Sequence, residues 1–87
     1  MNHNPDGNLS LFRDVAHAEM TNRGFDEGHS ARSLNQDAVM LRFWADLGVA
    51  EIVVSDLELY TNDALGIQDL ARSRCAIAVA AYLGRPA

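Results

Sequence analysis

The chain has 87 residues, 48% of them apolar and 22% charged, with a formal net charge of −5. A chain this short makes one domain with a thin core, burying only about 60% of its unfolded surface or slightly more, so dimerisation would help it. The acidic balance argues against a broad basic face for a phosphate backbone, and the apolar content is that of a folded chain.

The opening residues, Met1 to Gly7, offer nothing to bury and predict a loose tail at 1–7 ahead of a single helical domain at 8–87. They lack the basic and apolar regions of a secretory leader, and no apolar run approaches the ~20 residues of a membrane span. The one cysteine suits a reducing compartment. The expected location is the cytoplasm.

A first helix is predicted from Asn8 or Ser10, because Leu11, Phe12, Val15, Ala18 and Met20 recur at spacings of three and four. Gly24 and Gly28 weaken helix, so Asn22 to Ser30 reads as a broken helix or a loop in which Phe25 still seeks burial. A second helix is predicted from an N-cap at Ser33 or Asn35. Met40, Phe43, Trp44 and Leu47 fall on its apolar face, Gly48 ends it, and Phe43 and Trp44 are assigned to the core.

Val49 to Tyr60 supports two readings: Val49, Ile52, Val53, Leu57 and Tyr60 make a helical stripe, while Ile52-Val53-Val54 is β-branched and Asp56 to Tyr60 alternates like a strand. Helix is favoured, since a lone strand without a visible partner leaves its backbone groups unpaired. The last helix is predicted from Thr61-Asn62-Asp63 to Gly84 and Pro86, and Cys75 to Leu83 is apolar on every side. Ala76, Ala78, Ala80 and Ala81 would let another helix approach closely. The predicted fold class is therefore all-α, three to four helices in a small domain that forms a homodimer through the C-terminal helix.

No catalytic motif stands out. Cys75 follows Arg74, which could activate a thiolate, but it also opens the apolar run, and a buried structural cysteine is the stronger reading. His17 and Glu19 spell His-x-Glu without the downstream Pro-Cys-x-x-Cys of the zinc deaminases. Asp26, Glu27 and His29 could hold a divalent metal, although such a trio is more often a solvated turn. Leu65 to Ala71 is followed by no turn and no polar recognition helix, which argues against a DNA-reading helix-turn-helix. The expectation is a protein without enzymatic activity, cofactor, metal, membrane contact or direct nucleic-acid binding.

The stretch from Leu41-Arg42-Phe43-Trp44 to Leu83-Gly84-Arg85-Pro86, about half the chain, resembles the bacterial helical antiactivators of LuxR-type quorum-sensing receptors in size, acidity and helical organisation. The resemblance implies an inhibitory protein that binds the ligand-binding domain of a transcription regulator, covers its dimerisation surface and prevents DNA binding. Such a partner requires apolar area of roughly 800 Å². The candidate contact residues are Leu57, Leu59, Tyr60, Ile77, Val79, Tyr82 and Leu83, with Tyr60 and Tyr82 the preferred anchors. Two alternatives are an acidic decoy for a basic nucleic-acid groove, motivated by five acids against one arginine in residues 35–62, and a small metal carrier using Asp26, Glu27 and His29.

Overall fold

The computed structural model describes residues 5–32 and 36–84, with the backbone alone for residues 5 and 27–29. Its elements run α1 (Pro5–Asn22), β1 (Asp26–Arg32), β2 (Ala38–Ala45), β3 (Gly48–Ser55), α2 (Asp56–Thr61) and α3 (Ala64–Leu83). The all-α expectation fails. The chain is α+β, a three-stranded antiparallel meander of order β1-β2-β3 with its inner face buried against helices.

Helix α1 opens at Pro5, so residues 5–7, predicted as tail, are helical. A proline at the first helical position loses no hydrogen bond, because that amide has no partner within the helix anyway. Phe12, Ala16 and Met20, four residues apart, are fully buried, with Leu9 and Val15 packed beside them. The helix ends in a double-bonded turn: Gly24 N–H donates to Thr21 O and Phe25 N–H to Met20 O, both at 3.0 Å. Gly24 sits at φ 86°, the left-handed region where a Cβ is strained. Phe25, buried beyond the turn, meets Met20 in the core as this motif favours.

Asp26 to Ser30, part of the expected broken helix or loop, belongs instead to strand β1, which runs on to Arg32. Its pairing with β2 shifts register between Glu27 and His29, a bulge that absorbs one extra residue there. The predicted second helix is likewise strand. Ser33 and Asn35, its proposed caps, lie outside the described residues, and the helical spacing of Met40, Phe43, Trp44 and Leu47 coincides with a period-two burial pattern. Val39, Leu41 and Phe43 point into the core, and Trp44 points out; Phe43 is 1% exposed and Trp44 46%.

Gly48 ends no helix. Ala45 pairs with Gly48 across the two-residue turn Asp46-Leu47, and Gly48 takes φ 134° as the chain re-enters the ladder. Strand β3 then buries Ala50, Ile52 and Val54, so the β-branched run was a strand whose partner was the segment before it. Ser55-Asp56-Leu57-Glu58 stops that strand as a capping box, in which Ser55 Oγ accepts from Glu58 N–H at 3.1 Å and Glu58 Oε1 from Ser55 N–H at 3.0 Å.

Helix α3, expected from Thr61 to Pro86, runs from Ala64 to Leu83 behind Asp63, whose carboxylate accepts from Gly66 N–H at 2.8 Å. Pro86 lies outside the described residues. Its last turns are not apolar contacts on every side. Ile67, Ala71, Cys75, Ala78, Val79 and Tyr82 are buried, whereas Ala76, Ile77, Ala80, Ala81 and Leu83 face outward. The close helix neighbour is α1 of the same chain. Among the described residues no helix is long and apolar enough to cross a membrane.

The strand assignment separates Phe43 from Trp44, which a helix would have placed together on one face. Phe43→Ala should cost about 3–5 kcal/mol in denaturant unfolding, as for a buried aromatic, and Trp44→Ala about 1 kcal/mol or less. Equal large losses would restore the helical reading of residues 38–45.

Candidate protein-binding surface

The seven residues proposed for partner contact divide by burial. Leu59, Val79 and Tyr82 belong to the chain's own core, while Leu57, Tyr60, Ile77 and Leu83 are exposed. Tyr82 packs edge-on against Phe25 with ring centroids 4.8 Å apart, and its hydroxyl accepts from Leu47 N–H at 2.7 Å. The polar tip therefore finds its partner in the β2–β3 turn and pins that turn to α3.

Helix α2 has six residues, too few for a helix to satisfy its own ends. Side chains take up its last carbonyls. Thr61 Oγ1 donates to Leu57 O, Asn62 Nδ2 to Glu58 O, and Asn8 Nδ2 of α1 to both Leu59 O and Asn62 O, each at 2.8 Å. Asn8 is buried to do so, a polar residue inside α1 that the apolar periodicity could not reveal. The capping box that starts α2 was readable, because Ser-x-x-Glu is its signature.

Arg74 completes the fastening. Its guanidinium is ion-paired with Glu58 on α2 and donates to Val53 O on β3 at 2.6 Å. Burial alone would raise the Glu58 carboxyl, but hydrogen bonds from Ser55 and Arg74, together with the Arg74 charge, outweigh it and hold the group below its ordinary 4.5. The same bond to Val53 O occupies an outward carbonyl of β3, an edge strand, and so obstructs another strand from pairing there.

Three exposed apolar side chains stand close to the Glu58–Arg74 latch along the chain. Leu57 precedes Glu58 and is 70% exposed, Tyr60 follows one turn later at 62%, and Ile77, one turn beyond Arg74, is 63% exposed. A tyrosine and leucine on a helix held by side chains from α1, α3 and its own cap make a preorganised patch.

The other candidate chemistries fare differently. Cys75 is fully buried, its thiol directed at Ala16 O at 3.9 Å, while Arg74 turns to Glu58. Burial pushes the thiol up to about 11, with the Glu19 charge adding to the rise and Arg23 opposing it, so it is a protonated core group at neutral pH. Asp26 is exposed, and the side chains of Glu27 and His29 lie outside the described residues. Among the described residues no three ligating groups converge on a metal position.

An open concavity of about 370 Å³ is lined by Ser10, Arg13, Asp14 and His17 of α1. A nucleophile–base–orienter set needs histidine between serine and aspartate. Here Asp14 lies between, and Ser10 is two turns, about 10.5 Å, from His17 along the helix. Of the acids behind the decoy reading, Glu51 pairs with Arg42 at 2.9 Å, Asp56 with Arg32 at 2.8 Å, and Glu58 with Arg74.

Comparison with protein families, with characterised proteins and with solved structures finds no match. What the fold and the surface define is a class: a two-layer α+β domain presenting a fastened helix with an apolar outward face.

Because the folded Glu58 carboxyl titrates below the unfolded one, its latch contributes stability above 4.5 that is lost as pH falls through the lower folded value. Acid titration of unfolding should therefore show the wild type losing stability below that point, with a flatter profile for Glu58→Gln. Parallel profiles would mean that the latch contributes nothing.

Proposed function

We propose that this protein is a small regulatory module without catalytic function, acting in the cytoplasm, that binds a partner protein through Leu57, Tyr60 and Ile77 around the Glu58–Arg74 latch. The observation that carries the reading is the contrast within α2: every end of the helix is fastened by named side chains, yet its outward residues are apolar. A surface helix with that much support and no need of its own to expose Leu57 is suited to contact, since rigid presentation lowers the entropy cost of binding. Tyrosine and arginine are also the residue types that dominate binding hot spots.

The narrower expectation of a LuxR-type antiactivator leaned on helical organisation from Leu41 onward. With β2 and β3 occupying residues 38–55, that likeness keeps only size, acidity and the C-terminal helices in its support. A LuxR-type ligand-binding domain enters as one partner to test, with inhibition by masking of its dimer surface as the mechanism.

The test is affinity capture from nuclease-treated cytoplasm at low and high salt, using wild type, Leu57→Asp and Tyr60→Ala, with direct titration against a LuxR-type ligand-binding domain. The expected outcome is a protein held through high salt by the wild type and lost by both variants, each retaining the wild-type melting temperature within a few degrees. Retention unchanged in both variants would remove α2 from the account, and a partner released by salt would favour a charge-driven surface instead.

A further inference from the structure

An antiparallel sheet with one face on a core ordinarily turns a polar face to water. On β2 and β3 this sheet does not, although β1 sets the exposed Asp26 beside Trp44 on the same face. With Val39, Leu41 and Phe43 of β2 and Ala50, Ile52 and Val54 of β3 pointing inward, the outward positions are Met40, Arg42 and Trp44 opposite Val53, Glu51 and Val49. Trp44 and Val53 are exposed, and Met40 and Val49 are half-buried. The register makes three rows across the two strands: Met40 with Val53, Arg42 with Glu51, Trp44 with Val49. The central row is an ion pair at 2.9 Å, and the rows on either side are apolar.

From this arrangement we infer that the outer face of the sheet is the contact surface for a second copy of this chain. Charge selects both the occupant and the symmetry. Two sheets stacked face to face, about 10 Å apart, can be related by a two-fold axis between them that runs along the strands. That axis lays β2 of one copy over β3 of the other. Arg42 then faces Glu51, Trp44 faces Val49 and Met40 faces Val53 across the interface, in the aligned packing that twisted sheets adopt. The alternative axis, across the strands, sets Arg42 against Arg42 and Glu51 against Glu51, and like charges disfavour it. A face whose middle row is its own electrostatic complement is suited to itself.

The area sets the strength. In that register only β2 of each copy overlaps β3 of the other, two strands of about eight residues spanning roughly 10 by 26 Å, so two copies bury on the order of 500 Å² in total, well below the standard interface. The dimer is therefore reversible and weak, in the micromolar range or above. That agrees with a monomer whose core is complete without a partner, from Phe12 through Phe43 to Tyr82. This contact uses side chains other than those of the α2 surface, and Arg74 touches both through the Val53 carbonyl.

The closing experiment is sedimentation equilibrium of the full chain from low micromolar to near millimolar concentration, with emission of its single tryptophan, Trp44, as a second reading. Wild type should pass from monomer to dimer as Trp44 emission shifts to the blue. Arg42→Glu and Glu51→Arg should each weaken dimerisation by about tenfold or more, and an equimolar mixture of the two should restore it, since one copy then carries two acids and the other two arginines in the central row. Leu57→Asp should leave the dimer intact, so loss of the α2 surface and loss of the sheet contact are read separately. A wild type that stays monomeric throughout, a dimer indifferent to Arg42→Glu, or a mixture that fails to recover would overturn the inference. So would Trp44 emission that shifts only when a different protein is added, which would assign the face to that protein.

Discussion

The inner face of a three-stranded meander has to be covered, and almost every other feature of this chain follows from how that is done. Leu41, Phe43, Ile52 and Val54 form an apolar layer that no loop could cover without burying unsatisfied backbone. Phe12, Ala16 and Met20 of α1, with Ile67, Ala71 and Cys75 of α3, close it from one side. The two helices must therefore lie beside one another, which is why α3 presents Ala71, Cys75 and Ala78 inward, residues small enough to bring its axis near α1. The single cysteine serves packing and is chemically quiet for the same reason.

Polar groups tie these layers at their margins. Asn8 reaches from α1 to the end of α2, Arg74 from α3 to α2 and β3, Tyr82 from α3 to the β2–β3 turn, and Arg32 from the end of β1 to Asp56 at 2.8 Å. Each connects elements that are distant in sequence. In a chain with so thin a core, such ties fix the orientation of short elements that apolar burial alone would leave loose. Two of the carboxylates that look like a free negative field in the sequence, Asp56 and Glu58, are partners of arginines in these ties.

Among the described residues, two of the apolar surfaces left outside the core bear on binding. One is the outward side of α2 near the Glu58–Arg74 pair, rigid and small; the other is the outward side of β2 and β3, flat and self-complementary. They use different side chains, so a protein that pairs with itself through its sheet can still offer Leu57 and Tyr60 to another protein, in two copies, and so gain avidity toward a partner that is itself dimeric. Inhibition by covering and inhibition by bridging are both compatible with that geometry, and neither needs a catalytic group.

How much of this was legible depended on whether the relevant signal was local. Helices α1 and α3 were readable in outline, since apolar spacing and the end signals at Asp63 and Gly84 are properties of consecutive residues. The capping box at Ser55 is equally local, and it marks the end of β3. The strands were obscured by the outer face. With Met40, Trp44, Val49 and Val53 apolar, the alternation of β2 and β3 is blurred, and Met40, Phe43, Trp44 and Leu47 happen to fall at helical spacing. What the sequence alone determined was the acidic balance, the two bounding helices in outline and the stop at Gly84, because these follow from composition and from neighbours along the chain. Only the tertiary structure decided that Ala38–Ala45 and Gly48–Ser55 pair as strands, that Asn8 and Arg74 fasten α2, and that Tyr82 is inside while Trp44 is out. Strand pairing and side-chain ties across 50 residues draw their energy from groups far apart in the chain, and no local window contains both partners.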